Sequence, residues 1–422
     1  RGDLERAPAA ATAAGLVLFA DSRCRAATIP LRGRGAIAHQ EEDNTMFIQR
    51  LHCTSHIRPL ARRAFGALVA TLALAGTALA QDTASLPPVG GYVYTADELG
   101  NSISMIDLAT GAVATVPVAI APHNVQVTAD GATLLAVGTP PTATHGHNDS
   151  GHSDSGHAES GGGQADHGSA GAGALLVFAA DALAAGPRAT TVVGEHPAHV
   201  VADWAGARAF VSLSGENAVA VIDIARGKVT GKVPTGRYPH GLRISPDGRE
   251  IYVANVEEGS VSVLDTATLT EVARIPTGKA PVQVGFTPDG ARVYVSLRDE
   301  NAVAVIDTAS RQVVARIAVG RNPIQVHATP DGRFVYVANQ GSASQPADTV
   351  SVIDTAAEAV VHTIRTGAGA HGVAVSADGR FAFVTNIGDG TVSIIDIAAQ
   401  AVTRTIPVGA GPNGISFRSG QP

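Results

Sequence analysis

Histidine is the residue type whose placement points to chemistry in this chain, and it falls into two groups. Five histidines (His145, His147, His152, His157 and His167) lie among Asp149, Asp154, Glu159 and Asp166 in a Gly/Ser/Thr/Ala tract running from Thr139 to Gly173. A second group follows a repeated proline or its replacement: His123 after Pro122, His240 after Pro239, His371 after Ala370, and His199 two residues after Pro197. Neutral imidazoles suit borderline divalent ions, zinc first and then copper or nickel. The tract's irregular spacing fits a capturing or buffering segment, whereas the second group fits a site fixed by a fold.

Other chemistries lack their residues. The two cysteines, Cys24 and Cys53, lie near the start, so thiol catalysis and Cys-ligated zinc are excluded beyond them. No Cys-x-x-Cys-His occurs, which rules out covalent haem. Gly367-Ala368-Gly369-Ala370-His371-Gly372 and Gly409-Ala410-Gly411-Pro412-Asn413-Gly414 match the dinucleotide fingerprint, but neither precedes a helix whose N-terminus could hold a phosphate, so no nucleotide cofactor is expected. There is no G-x-S-x-G and no H-E-x-x-H.

The elements that position the second group come from an internal repeat. Segments begin at Pro197, Pro239, Pro281 and Pro323 at intervals of 42 residues; Pro122, Ala370 and Pro412 begin the others. Within the segment from Pro239, alternating apolar residues predict four strands: a (Gly241 to Ser245), b (Glu250 to Asn255), c (Ser260 to Asp265) and d (Glu271 to Pro276). One such unit cannot bury both faces, but seven stacked around an axis can. The fold class is therefore all-β, a seven-bladed β-propeller of four-stranded blades. A lone C-terminal strand a (Pro412 to Phe417) would join an N-terminal b-c-d blade opening at Tyr92 and close the ring. Low aromatic content (4%), 47 Gly and 23 Pro agree with many short strands and tight turns.

Tyr252-Val253-Ala254-Asn255, Val263-Leu264-Asp265-Thr266 and Phe383-Val384-Thr385-Asn386 resemble the YVTN repeat of bacterial, exported seven-bladed propellers, within a superfamily that includes lactonase-like and cytochrome d1-like members. The resemblance covers roughly residues 91 to 418. It implies the fold; its functions are diverse, from enzymes to haem-binding, DNA-binding and surface proteins. The second blade departs from the pattern, with Ala179 in place of the recurring Asp and the His-rich tract inserted between its strands b and c.

Comparison among the blades separates fold from site. Asp107, Asp223, Asp265, Asp307, Asp354 and Asp396 recur and belong to the turn between strands c and d; Asp247, Asp289, Asp331 and Asp378 recur in the turn between a and b. Histidine does not recur. Strand a is innermost in a propeller, so His123, His199, His240 and His371 should ring one channel mouth with Asn124, Gln283, Gln325 and Asn413. The competing explanation is that Pro-His-Gly is a repeat variant whose ring bonds a neighbouring carbonyl. Connections d-to-a and b-to-c leave a blade from the same face, so the His-rich loop should hang over that mouth. Asp97, Glu98, Glu216, Glu257, Glu258, Asp299, Glu300 and Asp389 should share the face.

The chain starts at Arg1 and its first methionine is Met46, so residues 1–45 read as upstream sequence or a mis-set start without a fold. Residues 46–80 read as a signal peptide: arginines, an apolar run from Ala64 to Ala75, and Ala78-Leu79-Ala80 as the cleavage site. Arg62-Arg63-Ala64-Phe65 also resembles a twin-arginine signal. The remaining 81–422 form the propeller, expected to be periplasmic or secreted, monomeric and without a membrane span. The chain's net charge of −7, with no basic cluster interleaved by aromatics, argues against nucleic acid. The expected partners are a metal ion or small polar ligand and a periplasmic binding protein that would receive the metal. The leading expectation is a zinc-binding propeller, with a metallochaperone role. The alternatives are a lactonase- or lyase-like enzyme, for which His240 and His371 lack a dedicated partner in the sequence, and an interaction scaffold.

Overall fold

A computed structural model describes residues 90–141 and 172–420, which lie within the compact unit Gln81–Pro422. The expectations for residues 1–45, the signal peptide at 46–80, and the loop histidines His145, His147, His152, His157 and His167 fall outside the described residues.

The described chain forms seven four-stranded antiparallel sheets, with two short 3₁₀ turns at Leu183–Ala185 and Arg298–Glu300. In the blade that begins at Pro239, strand a is Pro239–Ile244, b is Glu250–Asn255, c is Ser260–Asp265 and d is Thr270–Pro276. Strands b and c match the sequence expectation, while a starts two residues earlier. Strand b is almost wholly buried between neighbouring sheets; strand d alternates exposed and covered residues, as an outer strand with one wet face must.

Ring closure follows from the ends of the chain. Pro412–Ser419 lies beside Gly91–Asp97, which continues into Ser102–Asp107 and Val113–Pro117. Val93 faces Phe417 and Tyr94 faces Ser416 across this pairing. Phe417 stacks on Phe383 of the preceding blade with ring centroids 5.5 Å apart, tying the two ends of the chain to a third element.

A large side chain occupies one position of strand b around the ring: Tyr94, Leu135, Phe210, Tyr252, Tyr294, Tyr336 and Phe383 are all at most 1% exposed. Each fills the wedge between adjacent sheets, and burial of such a side chain is worth about 1.5–3 kcal/mol. The recurring aspartates behave as turn residues. Asp265 Oδ1 accepts from the backbone N–H groups of Ala267 and Thr268, and Asp247 Oδ1 accepts from Ser245 Oγ and the N–H of Arg249.

One feature of each blade positions the channel mouth. The residue that precedes strand a has left-handed backbone in six blades: His196, Tyr238, Ala280, Asn322, Gly369 and Gly411. Its carbonyl accepts from an N–H at the end of strand b of the same blade, in the pairs Ser214–His196, Val256–Tyr238, Arg298–Ala280, Gln340–Asn322, Ile387–Gly369 and Glu98–Gly411. The d-to-a and b-to-c connections are therefore bonded to each other on one face.

Candidate metal centre

Strand a does not run regularly at its start. The pairing with strand b shifts register between Pro122 and Asn124, between Pro197 and Val200, and between Pro239 and Leu242. Such bulges re-aim side chains. The same shift recurs at Pro281, Pro323 and Ala370, and in three blades the shifted stretch carries His123, His199 and His240.

His123 packs edge to face on His199 and His240, with centroids 5.6 and 5.2 Å apart, and His199 and His240 are tilted against each other at 4.8 Å. One ligating nitrogen from each lies within 4.8 Å of the other two. His371 is buried on the same ring at 5% exposure, but it stands outside this set of converging nitrogens. Its charge nevertheless bears on Glu98, His199 and His240.

Hydrogen bonds orient two of the rings. Nδ1 of His123 faces the Glu98 carboxylate at 3.2 and 3.3 Å, and Asn413 Nδ2 donates to the same carboxylate at 2.6 Å. Nδ1 of His240 lies 3.3 Å from the carbonyl of Val282 in the next blade. Gly241 permits that approach, since a Cβ there would sit 2.5 Å from the same carbonyl. The repeat-variant explanation for His240 is thus correct for one of its nitrogens. Each acceptor favours the proton on Nδ1, which makes Nε2 the acceptor nitrogen of the ring. The two Nε2 atoms, of His123 and His240, face each other at 3.2 Å.

His199 is 1% exposed, and its Nε2 has no hydrogen-bond partner among the described residues. Its Nδ1 lies 3.4 Å from Gln283 Nε2, whose amide oxygen is already occupied by the N–H of Val284. Burial, and then the neighbouring His240 and His123, hold His199 well below the usual imidazole range. Burial likewise brings His240 down to about 3, with His123 and His371 adding to it. Burial alone would raise Glu98, but the charge and hydrogen bond of His123 and the Asn413 amide outweigh it and bring the carboxyl to about 2. The mouth therefore holds two neutral imidazoles, and a third paired with a carboxylate.

The remaining sequence candidates divide between structure and site. Asn124 and Gln325 accept from the backbone N–H groups of Val200 and Val373 in the following blades, at 3.4 and 3.3 Å, and so stitch neighbouring innermost strands together. Asp97, expected in the turn on this face, instead ends strand b as a fully buried residue. It accepts from Thr95, Ser102 and Ser104; at the same place in another blade Asn255 instead donates its amide to Ser260 and Ser262. Glu98, expected only as one of the acidic residues of this face, is the partner of His123. Its position carries Ser214, Val256, Arg298, Gln340 and Ile387 in other blades, so the comparison that singled out the histidines also singles out Glu98.

Residues 175–331 match a family model described as YNCE-like beta-propeller, and residues 295–414 match one described as cytochrome D1 heme domain. Among solved structures, hydrazine synthase of Kuenenia stuttgartiensis is similar over 70% of this chain and 89% of that chain, with 22% identity and a TM-score of 0.56. A functionally unknown protein from Desulfotomaculum acetoxidans DSM 771 is similar over 79% of this chain and 100% of that chain, with 13% identity and a TM-score of 0.62. No curated protein matches. At these identities the structural likeness shows the fold. The haem implied by the second family's name does not fit among the three imidazoles: nitrogens within 4.8 Å of one another leave room for a single ion and no slot for a planar macrocycle. The repeat, the ring of seven blades and the two matched models together show a seven-bladed propeller that is related, over the matched residues, to the YNCE-like and cytochrome d1-like propellers.

Proposed function

We propose that this protein is an exported propeller that binds one divalent transition metal ion at the channel mouth through His123, His199 and His240. The observation that supports it is the pair of Nε2 lone pairs of His123 and His240 facing each other at 3.2 Å. Two lone pairs at that separation repel unless a cation lies between them, and the candidates are a proton or a metal ion. Imidazole nitrogens bound to tetrahedral zinc at ~2.0–2.1 Å stand about 3.3 Å apart, close to the spacing already present. The unpartnered Nε2 of buried His199 supplies the third ligand, its ring drawing inward when an ion binds.

Zinc is the first choice, then copper or nickel, because an all-imidazole set favours borderline ions. Glu98 plays the outer role of a carboxylate that holds a ligating imidazole in its tautomer. Three protein ligands leave a fourth position for water or for a donor from another molecule, and an exchangeable site of that kind suits passing the ion to a periplasmic partner. The His-rich tract would capture the ion above the mouth. Its ends meet there, since Gly138 pairs with Ala174 across strands b and c.

The test is zinc titration and metal analysis of residues 81–422 beside a version in which residues 140–172 are replaced by a short Gly/Ser turn. Both forms should retain one tight site, and the shortened form should lose weaker ones. Absence of binding tighter than the micromolar range in both would refute the metal reading.

A further inference from the structure

The other end of strand a carries a second set of blade-specific residues. The fourth residue after each blade's first is Gln126, Val201, Arg243, Gly285, His327, Ala374 or Ser416, one from each blade. These positions line two adjoining cavities at the channel end opposite the histidine triad, and the larger is about 490 Å³. Gln126, Arg243 and His327 line both. Gln126, Arg243 and His327 are polar residues that the other blades lack at this position, so the repeat does not explain them.

Arg243 is the informative member. Among the described residues twelve ion pairs tie arginines, a lysine or His123 to carboxylates, and none of them involves Arg243. Its one described hydrogen bond goes from Nη1 to the carbonyl of Leu242, at 3.0 Å, leaving most of the guanidinium's donors to face the cavity. A guanidinium enclosed in a channel without a carboxylate is costly, and it calls for a counter-charge from outside the chain. His327 stands near enough for the Arg243 charge to act on it, and its Nδ1 lies 3.3 Å from the carbonyl of Val373, so its Nε2 is the edge available to a ligand. The absence of a side chain at Gly285 widens the ring.

The rim around this charge is apolar. Trp204, Phe286, Pro246, Pro288 and Pro330 border the larger cavity. Trp204 takes the place of a turn proline. Its Nε1 donates to the carbonyl of Ser245 at 3.2 Å, which fixes the ring while leaving it 55% exposed. A single permanent cation calls for a single negative charge, its fork matches a carboxylate in two-point contact, and the apolar rim calls for a hydrophobic body. We propose that this end of the channel is a binding site for an organic monocarboxylate with an aromatic or aliphatic body, held at Arg243 and His327 and covered by Trp204. The site is independent of the metal centre and stands whether or not metal binds.

Trp204 is the only tryptophan in the chain, so its fluorescence reports this cavity alone. The whole exported chain would be titrated with benzoate, phenylacetate and hexanoate, with acetate and inorganic phosphate as comparisons. Saturable change with at least one of the first three, weakened about ten- to hundredfold in Arg243→Gln, is the expected result. Two outcomes would overturn the proposal: no saturable change with any of the three, or equal affinity in Arg243→Gln whose circular dichroism matches the parent. Acetate or phosphate binding as tightly as the larger acids would overturn the hydrophobic part and leave a bare anion site. Gln126→Ala, which removes no charge, serves as the second variant should Arg243→Gln fail to fold, and it is expected to weaken binding severalfold.

Discussion

Glu98 and His123 belong to different blades, yet the carboxylate of one holds the imidazole of the other at 3.2 Å, with Asn413 closing the group from the C-terminal strand. The contact spans the ring closure: Glu98 follows the first described strand, Asn413 lies in the last, and His123 opens the next blade. The orientation of one metal-ligand candidate thus depends on the two ends of the chain having met.

Glu98→Gln should therefore weaken zinc binding without loss of fold. Outer-sphere partners of ligating histidines typically contribute 10–100-fold to metal affinity, and a loss of about tenfold is expected. Competition titration against a chromophoric chelator would measure it. Unchanged affinity would show that Glu98 only fills the mouth.

Single replacements at the triad should separate it from the fourth histidine of the ring. His123→Ala, His240→Ala and His199→Asn should each lower zinc affinity by about two orders of magnitude or more, since each removes one of three ligands. His371→Asn should change it by less than about threefold, because His371 lies outside the converging set. The titration of all four variants against one reference chelator decides this, with thermal melts to confirm that each remains folded.

The pH dependence follows from the neutral imidazoles. His240 titrates at about 3 in the folded protein and His199 is also depressed, while unfolded histidine titrates near 6.5. Between those values the unfolded chain binds more protons, so metal-free stability should fall as pH drops from about 6.5 towards 3 and level off below. Glu98, at about 2 when folded and 4.5 otherwise, adds a further loss as pH falls from 4.5 to 2. Urea denaturation across that range would show it. Zinc binding between pH 4 and 6 should release far fewer than three protons, because His199 and His240 are already neutral there. A slope near three in the logarithm of the dissociation constant against pH would contradict these protonation states.

Closure can be tested by removing the last strand. Deleting residues 412–420 uncovers the edge of Gly91–Asp97 and strips Ile415 and Phe417 from the core shared with Phe381, Phe383 and Val93. The truncated chain should lose cooperative unfolding and associate through the bare edge, seen by size-exclusion chromatography. The milder Phe383→Ala should remain folded and cost about 3–5 kcal/mol in denaturant midpoint experiments.

The period of 42 residues, the alternation within it and the lone C-terminal strand that completes an N-terminal three-stranded blade were enough to determine the seven sheets and their closure, because a repeat that cannot bury its own faces has few ways to do so. The blade comparison also picked out His123, His199, His240 and His371, since a residue that the repeat does not require stands out against it. Which of them converge was decided by the tertiary structure. His199 meets His123 and His240 although it occupies a different repeat position, at a place where strand a departs from regular pairing, so its direction cannot be read from the alternation alone. The same holds for Asp97 and Glu98. They are adjacent in sequence and alike in charge, but one ends a strand and is locked among three hydroxyls, while the other begins a turn and reaches the neighbouring blade's histidine. Charge and spacing alone did not separate them, because the distinction lies in the direction each side chain takes from the backbone.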